Sequence, residues 1–415
     1  MDTPDSAAPV ADGNKTYNIG QINNATFVQE TVQDPPFNEI LLDKLINAII
    51  PYNPKAEQLL SWAAGQDPKP DISNYSISIL TYSFVGIIGM QLTKLFAIGA
   101  DSKSNSRRHD YVDMCVVTAK RVLQIICFAI ISDLWNKEKG HRYALTDEQT
   151  KKINNFFVTP NELPLRDYLI LLSNLCGVYA GNSLPLPISE LSAIESQLTE
   201  GAFFDACCKL QDINAIKNTD EKYAPKNCIE AETQLSVILT AASFLAAYKV
   251  VSIKNIGYEG LRNTEGRYLH KYVTLGQDSD QNINSEKMNY ANNPINTDSV
   301  LLYRVSNLDD TNLFPGVKET DIINMFPFII DYNALTEETE GVKICFYSCV
   351  DLLNNKVMTY SFLDDNSPQK ITFTDTQEND PLINDIIKGK GKRTDLKLDT
   401  VWRQVKEAKV AIIGS

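Results

Sequence analysis

Near residue 253 the hydrophobic pattern of this chain changes period. From Phe37 to about Ile253, apolar residues recur every three or four positions, the spacing of one helical face. Beyond that point, short β-branched and aromatic runs are punctuated by Asn, Asp and Gly at strand spacing. A run with helical period does not sit as a strand, because side chains alternate between faces there. The two periods predict an α+β chain: a strand-like N-terminal arm, a helical bundle and a small antiparallel β domain. The expected divisions are 1–36, 37–253 and 254–415.

The clearest helix is expected from about Arg108 to Trp135. Its apolar positions Val112, Cys115, Val116, Ala119, Val122, Leu123, Ile126 and Ile130 follow i, i+3, i+4 and i+7. An earlier helix starts at Asn38, a residue type that caps N-termini, and stops before Pro51 and Pro54. A second is expected over Ile77 to Ile98, and a later one opens at Thr146. Further helices fit residues 165–180, 188–210 and 228–253, about seven in all. In the β-rich part, "LLNNKVMTY" reads as a hairpin turning at Asn354-Asn355. Residues 277–299 are polar enough to read as a loop, and a short helix is expected from Val401 to Val410.

The arm holds the stretch "KTYNIGQINNATFVQ", residues 15–29, rich in Asn and Gln and poor in charge. It reads as a strand with a phase break after Gly20, and Pro35-Pro36 ends it. A strand needs partners for its N–H and C=O groups. Two are open: the chain's own β domain, or a strand of another molecule added to the edge. The expectation is assembly with a partner or a second copy, with Tyr17, Ile19, Ile22 and Phe27 as the contact residues.

The formal charge of −13 argues against strong binding to nucleic acid or an anionic membrane. Eight cysteines occur without a CxxC pair, which suits reduced thiols and a cytoplasmic location. The N-terminus lacks the basic and apolar regions of a signal peptide. The longest apolar run, Ser78 to Ala100, contains Lys94 and reads as a buried core helix, with a membrane-acting segment as the rival reading.

No phosphate-cradling loop, nucleophile elbow, zinc-protease or kinase signature is present. The three histidines, His109, His141 and His270, have no metal-ligand spacing, so no catalytic residue, metal or cofactor is assigned. Two patches are candidate phosphate or anion contacts: Arg107, Arg108 and His109, and the loop with Lys388, Lys390, Lys392 and Arg393. The plainer alternatives are a helix start with its acids on the favourable dipole end, and a solvated loop. Cys345 and Cys349 are expected on one side of a strand, in the core.

Three stretches together resemble components of bacterial conflict systems. "YNIGQINNATF" resembles the Asn-rich element placed before effector or sensor modules. "RRHDYVDMCVVTAKRVLQIICFAIISDL" resembles a helix of regulatory domains attached to kinases and NTPases of such systems. "INMFPFIIDYNAL" followed by "VKICFYSCVDLLNNKVMTYSF" resembles the small β module behind them. The resemblance implies an antiphage role without catalytic residues. The expectation is a non-enzymatic sensor or adaptor acting through recognition and assembly. Its partner would be a protein encoded nearby (an NTPase, nuclease or protease) or a second copy. The rival is an effector enzyme, a metal-dependent nuclease with carboxylates that converge in space.

Overall fold

The computed structural model is α+β. It describes residues 11–12, 15–22, 25–32, 34–137, 143–260, 262, 265–276, 286–291, 296–305, 322–336, 341–351, 357–363, 370–374 and 393–414. Strands β1 (Ala11–Asp12), β2 (Lys15–Ile22) and β3 (Ala25–Val32) come first. Helices follow: α1 (Glu39–Ala48), α2 (Pro54–Ala64), α3 (Ser73–Ser83), α4 (Gly86–Ala100), α5 (Arg107–Lys137), α6 (Asp147–Val158), α7 (Leu165–Gly181), α8 (Ala202–Ala215), α9 (Thr219–Lys222) and α10 (Pro225–Ala241). The β-rich part holds β4 (Tyr248–Glu259), β5 (Arg267–Thr274), β6 (Glu286–Ala291), β7 (Val300–Arg304), β8 (Ile322–Asn324), β9 (Ile329–Asp331), a short helix α11 (Tyr332–Leu335), β10 (Ile344–Asp351), β11 (Val357–Phe362), β12 (Lys370–Thr374) and the closing helix α12 (Arg393–Ile413).

Helix α5 is the axis of the helical region. Almost every side chain from Tyr111 to Leu134 is buried, as in a central helix, with Thr118, Arg121, Gln124 and Ser132 the polar residues among them. Helices α4, α7 and α10 pack against it. Length and composition alone would let α5 cross a membrane, but 89% of its most apolar window lies inside the protein.

The run from Ile77 to Ile98 is two helices rather than one. It breaks at Phe84-Val85, where Val85 N–H leaves the helical ladder and donates to Leu245 O at 3.1 Å. The next residue, Gly86, lies against the end of β5, and a Cβ there would come within 1.9 Å of Leu275 O. The apolar run Ser78 to Ala100 is broken at the same place.

The switch from helix to strand comes earlier than the period suggests. Helix α10 ends at Ala241, a 3-10 turn covers Ser243–Ala247, and β4 begins at Tyr248. Pairing decides it, since β4 is the central strand of a five-stranded sheet ordered β6-β5-β4-β7-β8. Part of the polar stretch 277–299 is also strand, because β6 pairs with β5 through Tyr268↔Ala291 to Val273↔Glu286. Residues 277–285 lie outside the described ones. A second sheet is ordered β12-β11-β10-β9. Strands β10 and β11 are antiparallel, as the hairpin reading requires, while the turn residues Asn354-Asn355 lie outside the described residues. A bulge between Tyr347 and Cys349 shifts the register, so simple alternation does not relate Cys345 to Cys349; both are buried. The closing helix runs well beyond the expected 401–410 at both ends.

A small apolar cluster gathers Val251, Ile253, Tyr272, Leu301 and Tyr303 of the five-stranded sheet, and helices and sheets share a second, large apolar core. At its centre Phe128 of α5 lies 5.8 Å from Phe328, and Phe156 of α6 lies 5.0 Å from Tyr347 of β10. Tyr347 donates its hydroxyl to Phe156 O at 3.2 Å, so the buried phenol is paired. The two sheets are tied by Asp331 of β9, which has no exposed surface and pairs with Lys254 of β4. Ser252 Oγ donates to the same carboxylate at 2.7 Å, as do the backbone N–H groups of Asn333 at 3.1 Å and Lys343 at 2.9 Å.

Asn38 does stand before α1, but its side chain does not cap the helix. Its φ is 76°, in the left-handed region that Asn tolerates. The cap comes from Glu232 of α10, whose buried carboxylate accepts from Asn38 N at 3.1 Å and Leu41 N at 3.0 Å. Burial raises the Glu232 pKa, and those backbone donors pull it partly back. A raised carboxyl pKa stabilises the fold below its unfolded value, and that stability is lost as pH rises through the folded value. Glu232→Ala leaves the Leu41 N–H without this acceptor and should cost about 2–3 kcal/mol. Urea unfolding of the two proteins checks this, and Glu232→Gln should flatten the pH dependence.

Candidate functional site

The N-terminal strands form a sheet of their own, ordered β1-β2-β3. The single strand expected over 15–29 is therefore a hairpin. The register runs from Lys15↔Val32 through Ile19↔Val28 and Gly20↔Phe27 to Ile22↔Ala25. The chain answers its own demand for strand partners locally, because folding back satisfies the inward-facing backbone groups of both strands. Of the arm residues expected to make contacts, Tyr17, Ile19 and Ile22 lie on β2 and Phe27 on β3. Strand β1 covers β2 only at Lys15 and Thr16. Among the described residues, the rest of β2's outer side and all of β3's have no strand beside them. A hairpin with two open edges is marginal alone and suited to gaining a strand.

The root of the arm is clamped to the body. Asp34 takes Arg108 Nε at 3.0 Å and Arg107 Nη1 at 3.6 Å. Arg107 also donates to Gly99 O at the C-terminal end of α4, where a cation suits the helix dipole. Its guanidinium lies 4.2 Å from the centre of the Phe37 ring, which in turn sits 4.3 Å from Tyr111. Each ion pair is partly exposed and contributes at most about 1 kcal/mol. Together they fix where the chain leaves the body after Pro35-Pro36.

The structure thus gives Arg107 and Arg108 a carboxylate of the chain itself. His109 is exposed and stacks on Tyr223 at 3.9 Å. Tyr223 donates to Asp113 at 3.0 Å, and Lys222 pairs with the same carboxylate at 3.0 Å. Lys388, Lys390 and Lys392 lie outside the described residues. Arg393 is the first residue of α12, with only its backbone described. Among the described residues, no three His, Cys, Asp or Glu side chains converge as a metal site.

Arg121 is a further polar residue of the core, not among the residues expected from the sequence. It is buried on α5 and donates to Gln124 Oε1 at 2.7 Å, Ser361 Oγ at 3.3 Å and Phe362 O at 3.1 Å, with its guanidinium 4.2 Å over the Phe346 ring. It joins α5 to the end of β11. Burial lowers its pKa, with Glu162 opposing. The signal was available: Met114, Thr118, Arg121, Ile125 and Phe128 form one helical stripe.

All eight cysteines are free thiols, and seven are buried. Burial raises Cys228 to about 11 and Cys176 to about 12. Cys208 alone is partly exposed. Native protein treated with a thiol-reactive disulfide should release about one equivalent quickly, since thiolate access sets the rate. Cys208→Ser should abolish that fast phase.

No protein-family model, no curated protein and no solved structure matches the chain.

Proposed function

We propose that this chain is a non-enzymatic recognition and assembly component of a bacterial antiphage system, with the N-terminal hairpin as its partner-binding element. The observation that carries the reading is that the hairpin forms a separate sheet whose outer edges, among the described residues, are largely unpaired. Main-chain pairing along such an edge supplies affinity, and the alternating side chains supply selectivity. The root at Asp34, held by Arg107 and Arg108, presents the hairpin from a fixed point on the body. The partner is a protein encoded nearby (an NTPase, nuclease or protease) that meets this chain in the cytoplasm. The antiphage setting is supported by the resemblance of the arm, the α5 segment and the β9–β11 segment to parts of such systems.

Plaque formation on a host carrying the operon, with and without this gene, tests the setting. Deletion should restore phage growth. Unchanged protection would reject the antiphage role.

A further inference from the structure

The far half of β4 and the strands beside it project from the body. Residues Tyr248–Ile253 of β4 are mostly buried, whereas Asn255, Gly257, Tyr258 and Glu259 are exposed. Tyr258 is 66% exposed and packs on Tyr268 of β5 at 5.4 Å. Strand β6 forms the edge of this projection, with no strand on its outer side among the described residues. It carries two exposed large apolar side chains, Met288 at 64% and Tyr290 at 40%. The register sets Met288 opposite Lys271 and Tyr290 opposite Leu269, so both fall on one face. On that face Arg267 lies 4.7 Å over the Tyr290 ring.

We propose that the outer edge of β6 is a self-association surface, pairing antiparallel with β6 of a second copy of this chain across a two-fold axis at Asn289. An open edge bearing bulky apolar groups is a template for another strand, and natural edges blunt it with Pro, a bulge or charge; here the charges are Glu286 and Lys287, at one end of the strand. Residues 286–291, "EKMNYA", contain no Pro, and their pairing with β5 runs without a bulge. The strand is self-complementary in this register. Asn289 meets Asn289, Met288 meets Tyr290 twice, and Lys287 meets Ala291, so no like charges oppose one another. Each Met–Tyr pair brings a thioether to an aromatic ring, a favourable contact. A two-fold axis makes the contact isologous and closed, so it stops at a dimer. The inference does not depend on the role proposed for the hairpin.

Light scattering at about 100 μM, which populates any dimer tighter than that value, reads the result. The chain should run at twice its 46.4 kDa monomer mass. Met288→Lys with Tyr290→Lys sets lysines opposite each other and should weaken the dimer at least tenfold. Asn289→Cys should form an inter-chain disulfide on mild oxidation, because directly opposed residues lie within disulfide reach. That cross-link is read even if the lysine variant fails to fold. A monomeric wild type would overturn the proposal, as would absence of the cross-link. So would a folded lysine variant that stays dimeric, including one whose dimer is lost only on deleting residues 1–33.

Discussion

Leu123→Asp should unfold the helical region. Leu123 is fully buried in the middle of α5 and belongs to the shared apolar core. The substitution removes a packed side chain and places a carboxylate at a position with no exposed surface. Losing the leucine's packing costs about 2–5 kcal/mol. Burying an unpaired carboxylate, or protonating it to avoid the charge, costs several kcal/mol more. Total stability is about 5–15 kcal/mol, so most of it is gone. Far-ultraviolet circular dichroism and solubility check this. A soluble variant with native helical signal would mean that Leu123 does not face the core.

Asp331→Ala should be nearly as damaging. It removes the carboxylate that pairs with Lys254 and accepts from Ser252, Asn333 N and Lys343 N. Lys254 keeps a 2.8 Å bond to Gly341 O but loses its counter-charge. Breaking a buried pair from one side costs about 3–5 kcal/mol, because the surviving charge stays desolvated. Replacing both members, Asp331→Leu with Lys254→Met, should recover part of that loss. The backbone donors at Asn333 and Lys343 would still lack their acceptor, so recovery is incomplete. Denaturant unfolding midpoints of the single and double variants measure both effects. A loss below about 1 kcal/mol for Asp331→Ala would show that the pair behaves as a solvated one.

The α+β class was legible because period is a local property of the chain. Helix α5 was read almost to its ends for the same reason. The break at Phe84-Val85 was not, because nothing in "SILTYSFVGIIGM" interrupts the apolar run; a bond to Leu245 and the close approach of Leu275 make the turn. Strand β6 was hidden because "EKMNYA" has no β-branched residue, and its pairing with β5 supplies the structure. Glu232 as the cap of α1 lies 191 residues from Leu41, beyond any local pattern. The hairpin had a visible signal. The sequence contains Asn23-Asn24, and Asn is a favoured residue in two-residue hairpin loops, the same signal read at Asn354-Asn355. The clamp at Asp34 was half legible, since Arg107 and Arg108 stood out while their partner did not.

The proposed role of the hairpin is to bind the partner. The direct measurement is co-purification of the product of the neighbouring gene with two forms of this chain, full-length and lacking residues 1–33. The shortened form keeps Asp34, Phe37 and the whole body, so its circular dichroism and unfolding midpoint serve as the control for folding. The full chain should bring down the partner, and a shortened chain that is otherwise folded should not. Equal recovery of the partner with both forms would contradict that role.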